Sequence, residues 1–299
     1  MREDLLDFLK MNDVQIKENV KLCRLSTVKI GAPADVIAYP DSVEKLVDLL
    51  RFLEKFKIQY KILGRMSNVL PPDEKYSTLI IKTDFLQNIS IEDETLIVST
   101  GVSLPRAAYV AICEGLSGLE PLLGIPGSFG GAVFGNAGAF GREISELVEF
   151  ILAFDKLDGK IIRIDAREAE FGYRDSIFKR RPLVILSAVI RLERSDSLAV
   201  RAEAEKFKAI RRKTQPVGQP SLGSTFKRPG HGLYAAKMID DCGLRGYSLG
   251  GAQISEKHAG FIVNRGGATA RDYLCLADFA QRIVKEKYGI NLEREVEIL

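Results

Sequence analysis

The sequence predicts an α+β protein built from more than one domain. Three observations carry the prediction. Short β-rich runs such as YKILG, TLIIKT and PLVILSAVIRLE are interleaved with helix-length amphipathic segments such as DSVEKLVDLLRFLEKF and TARDYLCLADFAQRIVKEKYG. EFILAFDKLDGKIIRID reads as a hairpin turning at Asp158-Gly159, an antiparallel signature. At 299 residues, 46% hydrophobic and 28% charged, the chain is long enough for two or three ordinary cores.

The elements fall into three regions. MREDLLDFLKMNDVQIKENV is too charged for a secretory leader and reads as a short amphipathic helix. DVIAYP is a strand, and the helix after it is expected to take Asp41 as its cap, with Glu44 three residues on. YKILG and TLIIKT are strands that complete a small α/β unit near residue 82. The second region opens with FLQNISIEDETLIVSTG, rich in strand formers, and the helix SLPRAAYVAICEG, stopped at Gly115. The hairpin and PLVILSAVIRLE follow, to about residue 195. The third region holds the charged helix LAVRAEAEKFKAIRRK, the helix LYAAKMIDDCG and the strand FIVNRGG. Its last helix has Thr269 and Asp272 in capping-box spacing, and NLEREVEIL is expected to close the chain as a strand. The expected domains are 1–82, 83–195 and 196–299.

Composition narrows the function classes. A net charge of +3 is small for this length and argues against a nucleic-acid binder. Cys23, Cys113, Cys242 and Cys275 are widely spaced with no C-x-x-C pair, so they are expected to be buried free thiols in a reducing compartment rather than disulfides or zinc ligands. No apolar run reaches the roughly 18 residues that would span a bilayer. A cytoplasmic location is expected.

Several loops have the composition of a site. In GIPGSFGGAVFGNAGAFG, Gly124 to Gly141, seven of eighteen residues are glycine. Either something approaches this backbone closely or it turns as other residues cannot. It has neither a P-loop ending nor a good G-x-G-x-x-G, but Ser128 and Asn136 put polar handles into an apolar wall. ILGRMSNVL is a strand running into a loop whose N–H groups, with Ser67 and Asn68, suit a phosphate, although composition alone favours a plain strand-to-turn connection. In FGYRDSIFK, Arg174 suits a carboxylate or a developing anion, or a surface ion pair. In PSLGSTFKRPG, Ser224 lacks a nucleophile elbow, and neither histidine, His231 or His258, is marked as its base. Its hydroxyl suits proton donation or a simple turn, and Lys227 and Arg228 beside it suit an anion. His258 lies in GGAQISEKHAGFIVN, where a structural role competes with a site role. Glu295, in LEREVEIL, is expected to alternate in phase with Glu293 and Glu297, and a solvated acidic edge competes with a functional reading.

Taken in order, these motifs resemble the UDP-N-acetylenolpyruvoylglucosamine reductases, the MurB family of flavoenzymes in peptidoglycan precursor synthesis. The resemblance runs from STVKIGAPADVIAYP through ILGRMSN, GLSGLEPLLGIPGSFGGAVFGNAGAFG, FGYRDSIFK, GSTFKRP and GGAQISEKHAGFIVNRGGAT to LEREVEIL, nearly the whole chain. It implies a two-subdomain FAD-binding fold of the vanillyl-alcohol oxidase/PCMH type plus a third α+β substrate-binding domain, in the shorter form without a tyrosine-bearing lid. It implies non-covalent FAD, held by Gly64, Arg65, Met66, Ser67, Asn68, Gly118, Ile125, Pro126, Gly127, Ser128, Gly131, Asn136, Ala137 and Ile262. NADPH is the implied co-substrate. Lys227, Arg228 and His258 are implied contacts of the substrate, UDP-N-acetylglucosamine enolpyruvate. In the implied reaction hydride reaches C3 from the reduced flavin, Ser224 protonates C2, and Arg174 and Glu295 stabilise the enolate between. Glu295 is then expected to have a raised pKa when the site is filled. No metal, nucleic acid or membrane is implied, and a monomer is expected. The chain departs from the family pattern at Met66, where a glycine is common, at Arg228 in place of asparagine, and at Arg294 in place of proline.

Two other readings stay open on the sequence. One is a flavin oxidase or dehydrogenase of alcohols or sugars. Such relatives often tether FAD through histidine or cysteine; neither histidine falls in the first two regions, whereas Cys113 does. The other is a flavin-binding protein without turnover, against which the presence of Arg174, Ser224 and Glu295 argues.

Overall fold

The computed structural model describes residues 2–230 and 232–299. The chain divides into two compact units, each gathered from separate segments. The first comprises Met1–Glu18, Val36–Arg65 and Thr78–Ala209; the second comprises Asn19–Asp35, Met66–Ser77 and Ile210–Leu299. The sequence led us to expect three contiguous domains; the observed units are instead interleaved along the chain.

In the first unit, helix α1 (Arg2–Met11) leads into strand β1 (Gln15–Lys21), and the chain leaves the unit within β1 and returns within β2 (Pro33–Tyr39). Helix α2 (Val43–Lys55) then crosses to β3 (Tyr60–Leu63), and β5 (Leu79–Lys82) completes a sheet of order β1-β2-β5-β3. β2 and β3 both run parallel to β5, so β5 is paired on both edges and all four of its residues are buried. This is why LIIK reads as a continuous run rather than an alternation. α2 presents Leu46, Val47, Leu49, Leu50 and Leu53 on one face and buries them against Val36, Ala38, Leu79 and Ile81. Each such leucine contributes about 1.5–3 kcal/mol by leaving water. The helix is capped by Ser42, whose Oγ accepts from the Lys45 N–H at 3.2 Å, and not by Asp41 as expected. Ser42 is the extended residue directly before the first turn, and Asp41 pairs with the Lys45 ammonium instead.

The second sheet of this unit has order β12-β11-β13-β7-β6 and is antiparallel: β6 (Ile89–Glu92), β7 (Thr95–Ser99), β11 (Val148–Asp155), β12 (Lys160–Asp165) and β13 (Leu183–Arg191). The hairpin turns at Asp158-Gly159 as expected, with Gly159 at φ +65°. One core gathers Leu96, Val98, Ile151, Ala153, Ala188 and Ile190 of this sheet with α3 (Leu104–Cys113) and α4 (Phe129–Phe134). α4 was not anticipated: it lies inside the glycine tract, where intrinsic helix propensity is poor. Its Ser128 cap and the burial of Phe129, Ala132 and Val133 hold it. Short pairs complete the unit, β8 (Leu116–Ser117) with β14 (Glu193–Arg194) and β9 (Gly138–Ala139) with β10 (Arg142–Glu143). α5 (Ser197–Thr214) begins in this unit.

The second unit is built on an antiparallel sheet of order β15-β18-β17-β16: β15 (Ser221–Ser224), β16 (Ser248–Leu249), β17 (Ala252–Ile254) and β18 (Phe261–Asn264). α6 (Ala235–Asp241) and α7 (Ala270–Tyr288) share its core, α7 through Tyr273, Leu276, Ala277, Ala280 and Val284. The Thr269–Asp272 capping box is present on both sides, and the Asp73 carboxylate accepts from the N–H groups of Ala270 at 2.7 Å and Arg271 at 2.9 Å. An anion on the first turn of a long helix also favours its dipole.

Two expectations need correction here. Of NLEREVEIL only Glu297–Ile298 forms a strand, β19, and it pairs in parallel with β4 (Val69–Leu70). Glu295 precedes it and is half-buried, Glu293 and Glu297 are exposed, and Leu292 and Val296 are buried. The four cysteines are free, but Cys113 and Cys275 are exposed rather than buried. Cys275 falls outside the 273, 276, 277, 280 stripe of α7, and Cys113 lies just past the buried stripe of α3. Among the described residues no helix is long and apolar enough to cross a membrane.

Candidate active site

In the first unit three main-chain turns converge: Gly64 after β3, Thr83 after β5 and Gly101 after β7, with the start of α4 against them. A Cβ on Gly64 would lie 2.1 Å from Ser128 Oγ, one on Gly101 1.7 Å from the Thr83 carbonyl oxygen, and one on Gly130 1.9 Å from Thr100 Oγ1. Main-chain bonds lace the same segments: Leu104 N–H to Gly127 O, Phe129 N–H to Val102 O and Gly130 N–H to Thr100 O, at 3.1, 2.7 and 2.9 Å. Part of the bare backbone in the tract is therefore required by protein packing on protein. Gly131 differs. It is exposed, and a Cβ there would meet only Ser128 Oγ, at 3.1 Å. Gly127 at φ +144° needs its freedom for the turn before α4.

Beneath Gly64 lies Lys82, 1% exposed at the end of β5. Its ammonium donates to the Gly64 carbonyl and pairs with Asp84 Oδ2 at 3.2 Å. Burial pulls the Lys82 pKa below the ordinary lysine value, against the opposing effect of Asp84. A flavin dinucleotide needs small side chains for close approach and positive potential for its diphosphate. Gly64, Gly127, Ser128 and exposed Gly131, backed by Lys82, fit that group. Ile125, Pro126 and Ala137 flank the same turn, half-buried, exposed and half-buried. Gly118 donates its N–H to Glu120, itself 3% exposed.

A second cluster in this unit surrounds Asn136, which is 1% exposed. Its amide donates to Glu143 Oε2 at 2.8 Å and to Gly172 O at 2.9 Å, while its oxygen accepts from the Ser145 N–H at 3.1 Å. The FGYRDS turn docks here. Arg174, at φ +56°, donates to the carbonyls of Asn136 at 3.2 Å and Gly138 at 3.0 Å, with Glu143 Oε1 3.8 Å away. Ser176 Oγ donates to Phe134 O at 2.7 Å. Glu143, which the sequence reading passed over, is thus the common neighbour of Asn136 and Arg174.

In the second unit Ser224 and Glu295 come from adjacent segments. Ser224 faces Phe261 across the β15/β18 pair, beyond an irregularity that takes in Gly223 at φ +78°. The next residue, Thr225, receives the Glu295 N–H on its carbonyl at 2.9 Å and gives its own N–H to Gly260 O at 2.8 Å. Asn68 fixes the other side of Glu295: its amide donates to Glu295 O at 2.9 Å, and its carbonyl accepts from Glu297 N–H at 3.0 Å. Met66, where the resembled pattern commonly has a glycine, is buried and keeps a left-handed φ of +50°. That conformation costs a non-glycine residue about 1–2 kcal/mol. Lys227 pairs with Glu293, and Arg228 stacks 5.2 Å from the Tyr234 ring centre. His258 is half-buried; its Nδ1 accepts from Gly260 N–H at 3.2 Å, and burial pulls its pKa down. Ile262 is a core residue, 2% exposed. His231 lies outside the described residues. Arg211 has a guanidinium nitrogen buried with no partner among the described residues, and burial lowers its pKa to about 10. Arg174 belongs to the first unit, Ser224 and Glu295 to the second.

The comparisons with known proteins agree with one another. Residues 34–165 match a family model described as "FAD binding domain", and residues 215–299 match one described as "UDP-N-acetylenolpyruvoylglucosamine reductase, C-terminal domain". The chain is similar to the UDP-N-acetylenolpyruvoylglucosamine reductase of Caldanaerobacter subterraneus subsp. tengcongensis, 40% identical over 301 residues, covering 100% of this chain and 99% of the relative. It is similar to that of Bacillus subtilis, 40% identical with 99% and 98% covered. The crystal structure of the enzyme from Thermus caldophilus superposes with a TM-score of 0.80 at 31% identity, covering 95% of this chain and 98% of the other. With relatives matched end to end, an FAD-binding first part and the same fold, the chain belongs to the UDP-N-acetylenolpyruvoylglucosamine reductase family of FAD-dependent oxidoreductases.

Proposed function

We propose that this protein reduces the enolpyruvyl group of UDP-N-acetylglucosamine enolpyruvate to UDP-N-acetylmuramate, using NADPH, as a step of peptidoglycan precursor synthesis in the cytoplasm. FAD, when bound, would supply the two-electron hydride chemistry between NADPH and the vinyl C3. A monomeric state belongs to the same proposal.

The chain's own residues do the rest. Hydride at C3 leaves negative charge on C2 and its carboxyl group. The Ser224 hydroxyl gives the proton to C2, completing the addition of one hydride and one proton. Arg174 supplies a guanidinium to the carboxylate or enolate oxygens, its plane fixed by two main-chain carbonyls. Glu295 acts in its protonated form, as a donor to the same charge. Lys227, Arg228 and His258 contact the substrate. The buried, unpartnered Nη1 of Arg211 suits a phosphate of the uridine diphosphate. The Gly64–Asn68 loop and the Ile125–Ala137 turn, with Gly118 and Ile262, hold the cofactor.

The observation that carries the reading is the backbone pairing of Thr225 with Glu295, which holds the proposed proton donor and acid in register. An anaerobic spectrum tests it. The yellow protein is expected to bleach with NADPH and to regain colour when the enolpyruvyl sugar nucleotide is added without oxygen. Bleaching that only oxygen reverses would overturn the substrate assignment.

A further inference from the structure

Lys82 has no role in the chemistry above, yet its burial is costly. β5 is paired on both edges, and an apolar side chain at its last position would need no desolvation of a charge. The Asp84 partner does not repair this fully: Oδ2 meets the ammonium at 3.2 Å, while Oδ1 is buried without any partner. Asp84 also lies near enough to the buried Tyr39 to raise its pKa, and Arg65 adds a second positive charge near Lys82. A buried pair left incompletely satisfied is poor evidence for stability and asks for another function.

The geometry supplies one. Lys82 reaches up to the Gly64 carbonyl. In a trans peptide the carbonyl and the following N–H point in opposite directions. With the Gly64 oxygen turned into the interior, the Arg65 N–H faces outward, and the Arg65 side chain is itself exposed. On the flank of the same peptide, Gly64 rests against Ser128 Oγ, the residue that opens α4. Both Gly64 and Lys82 lie at the C-terminal ends of parallel strands, the edge of an α/β sheet where ligands bind.

We propose that Lys82 is a positioning residue for the cofactor: it turns the Gly64–Arg65 peptide so that the Arg65 N–H faces the flavin dinucleotide's diphosphate, and it backs that peptide with a positive charge. The inference rests on the FAD reading of this unit. It explains why a lysine stands at the end of a fully buried strand.

The test is FAD titration of the apoprotein, read beside its melting temperature. In Lys82→Met combined with Asp84→Asn, which removes both charges of the pair, the dissociation constant for FAD is expected to rise on the order of tenfold to a hundredfold, while the apoprotein melts no lower than the parent, as for other apolar replacements of whole buried ion pairs. Lys82→Gln keeps a donor without the charge and is expected to recover part of the loss. Lys82→Met alone strands the Asp84 carboxylate and is expected to melt lower, so the double variant carries the comparison. Unchanged FAD affinity in the folded variant overturns the proposal. So does a loss of affinity that follows a matching fall in melting temperature, with no recovery in Lys82→Gln. Failure of the parent chain itself to take up FAD is a different result, and it would remove the cofactor reading underneath.

Discussion

The two units arrange their polar groups in opposite ways. In the first, the polar side chains proposed for the site are tied up within the protein: Asn136 uses both amide hydrogens and its oxygen, and Arg174 gives two of its donors to carbonyls. What the first unit presents to a ligand is shaped backbone. In the second unit the main chain is laced, Thr225 to Gly260 and to Glu295, and side chains extend from that lattice. Change in the first unit should therefore act through shape and cofactor retention. Change in the second should act on the chemical step with the fold intact.

The sharpest break of that contrast comes from Ser224→Ala. Loss of the proposed proton donor is expected to lower kcat by about 10²–10⁴-fold. Stopped-flow spectra should show NADPH bleaching the flavin at the parent rate, with reoxidation by the sugar nucleotide slowed. If the first half-reaction slows equally, Ser224 has a structural role and the contrast fails. Gly101→Ala tests the other side. Its new methyl meets a main-chain oxygen that cannot rotate away, and overpacking of this kind costs about 1–3 kcal/mol, here toward the upper end. Gly141→Ala, at φ +86° but with nothing within 4 Å of its Cβ, should cost only the backbone strain, about 1 kcal/mol. Equal losses in urea unfolding would show that conformation, not close approach, governs the glycines. Asn136→Ala leaves Gly172 O and Ser145 N–H without their partner and should cost about 1–2 kcal/mol. Its melting temperature should fall in the apoprotein as much as in the holoprotein; a fall confined to the holoprotein would make Asn136 a cofactor ligand first.

The fold was legible where periodicity is strong. α2, α7, the Asp158-Gly159 hairpin and the buried β5 follow from apolar spacing and turn residues alone. α4 was not, because its helix rests on a serine cap and tertiary burial rather than on propensity. The cap of α2 was misplaced by one residue, since Asp41 and Ser42 are both good caps and only the local dihedral angles choose. At the site, the motifs pointed to Ser224, Arg174 and Glu295 by resemblance. They gave no sign of Glu143 or Lys82, whose importance lies in contacts between segments distant in the chain. The two-unit division was also hidden, because segments 19–35 and 66–77 join the second unit only through long-range pairing such as β4 with β19.

The smallest effect expected concerns His258 and pH. Burial holds its pKa below the ordinary value, and nearby Arg245 adds to the shift, while a bond from its own main chain opposes it. The native ring is therefore neutral where the unfolded ring is already partly charged. Between the lowered native value and about 6.5 the unfolded state binds more protons, so stability falls as pH falls through that window and is level above it. The structure gives a second reason for the sign: Nδ1 accepts from the Gly260 N–H, and a proton there would replace an acceptor by a donor facing a donor. His258→Gln has nothing to titrate. Its melting temperature should show a shallower decline between pH 7 and pH 5 than the parent's, by a difference on the order of 2 °C. A parent and variant that fall in parallel would place the acid sensitivity elsewhere. A variant that falls more steeply would mean that His258 is charged in the native protein, and that the second unit holds a cation there which the packing against Phe261 and Gly260 does not support.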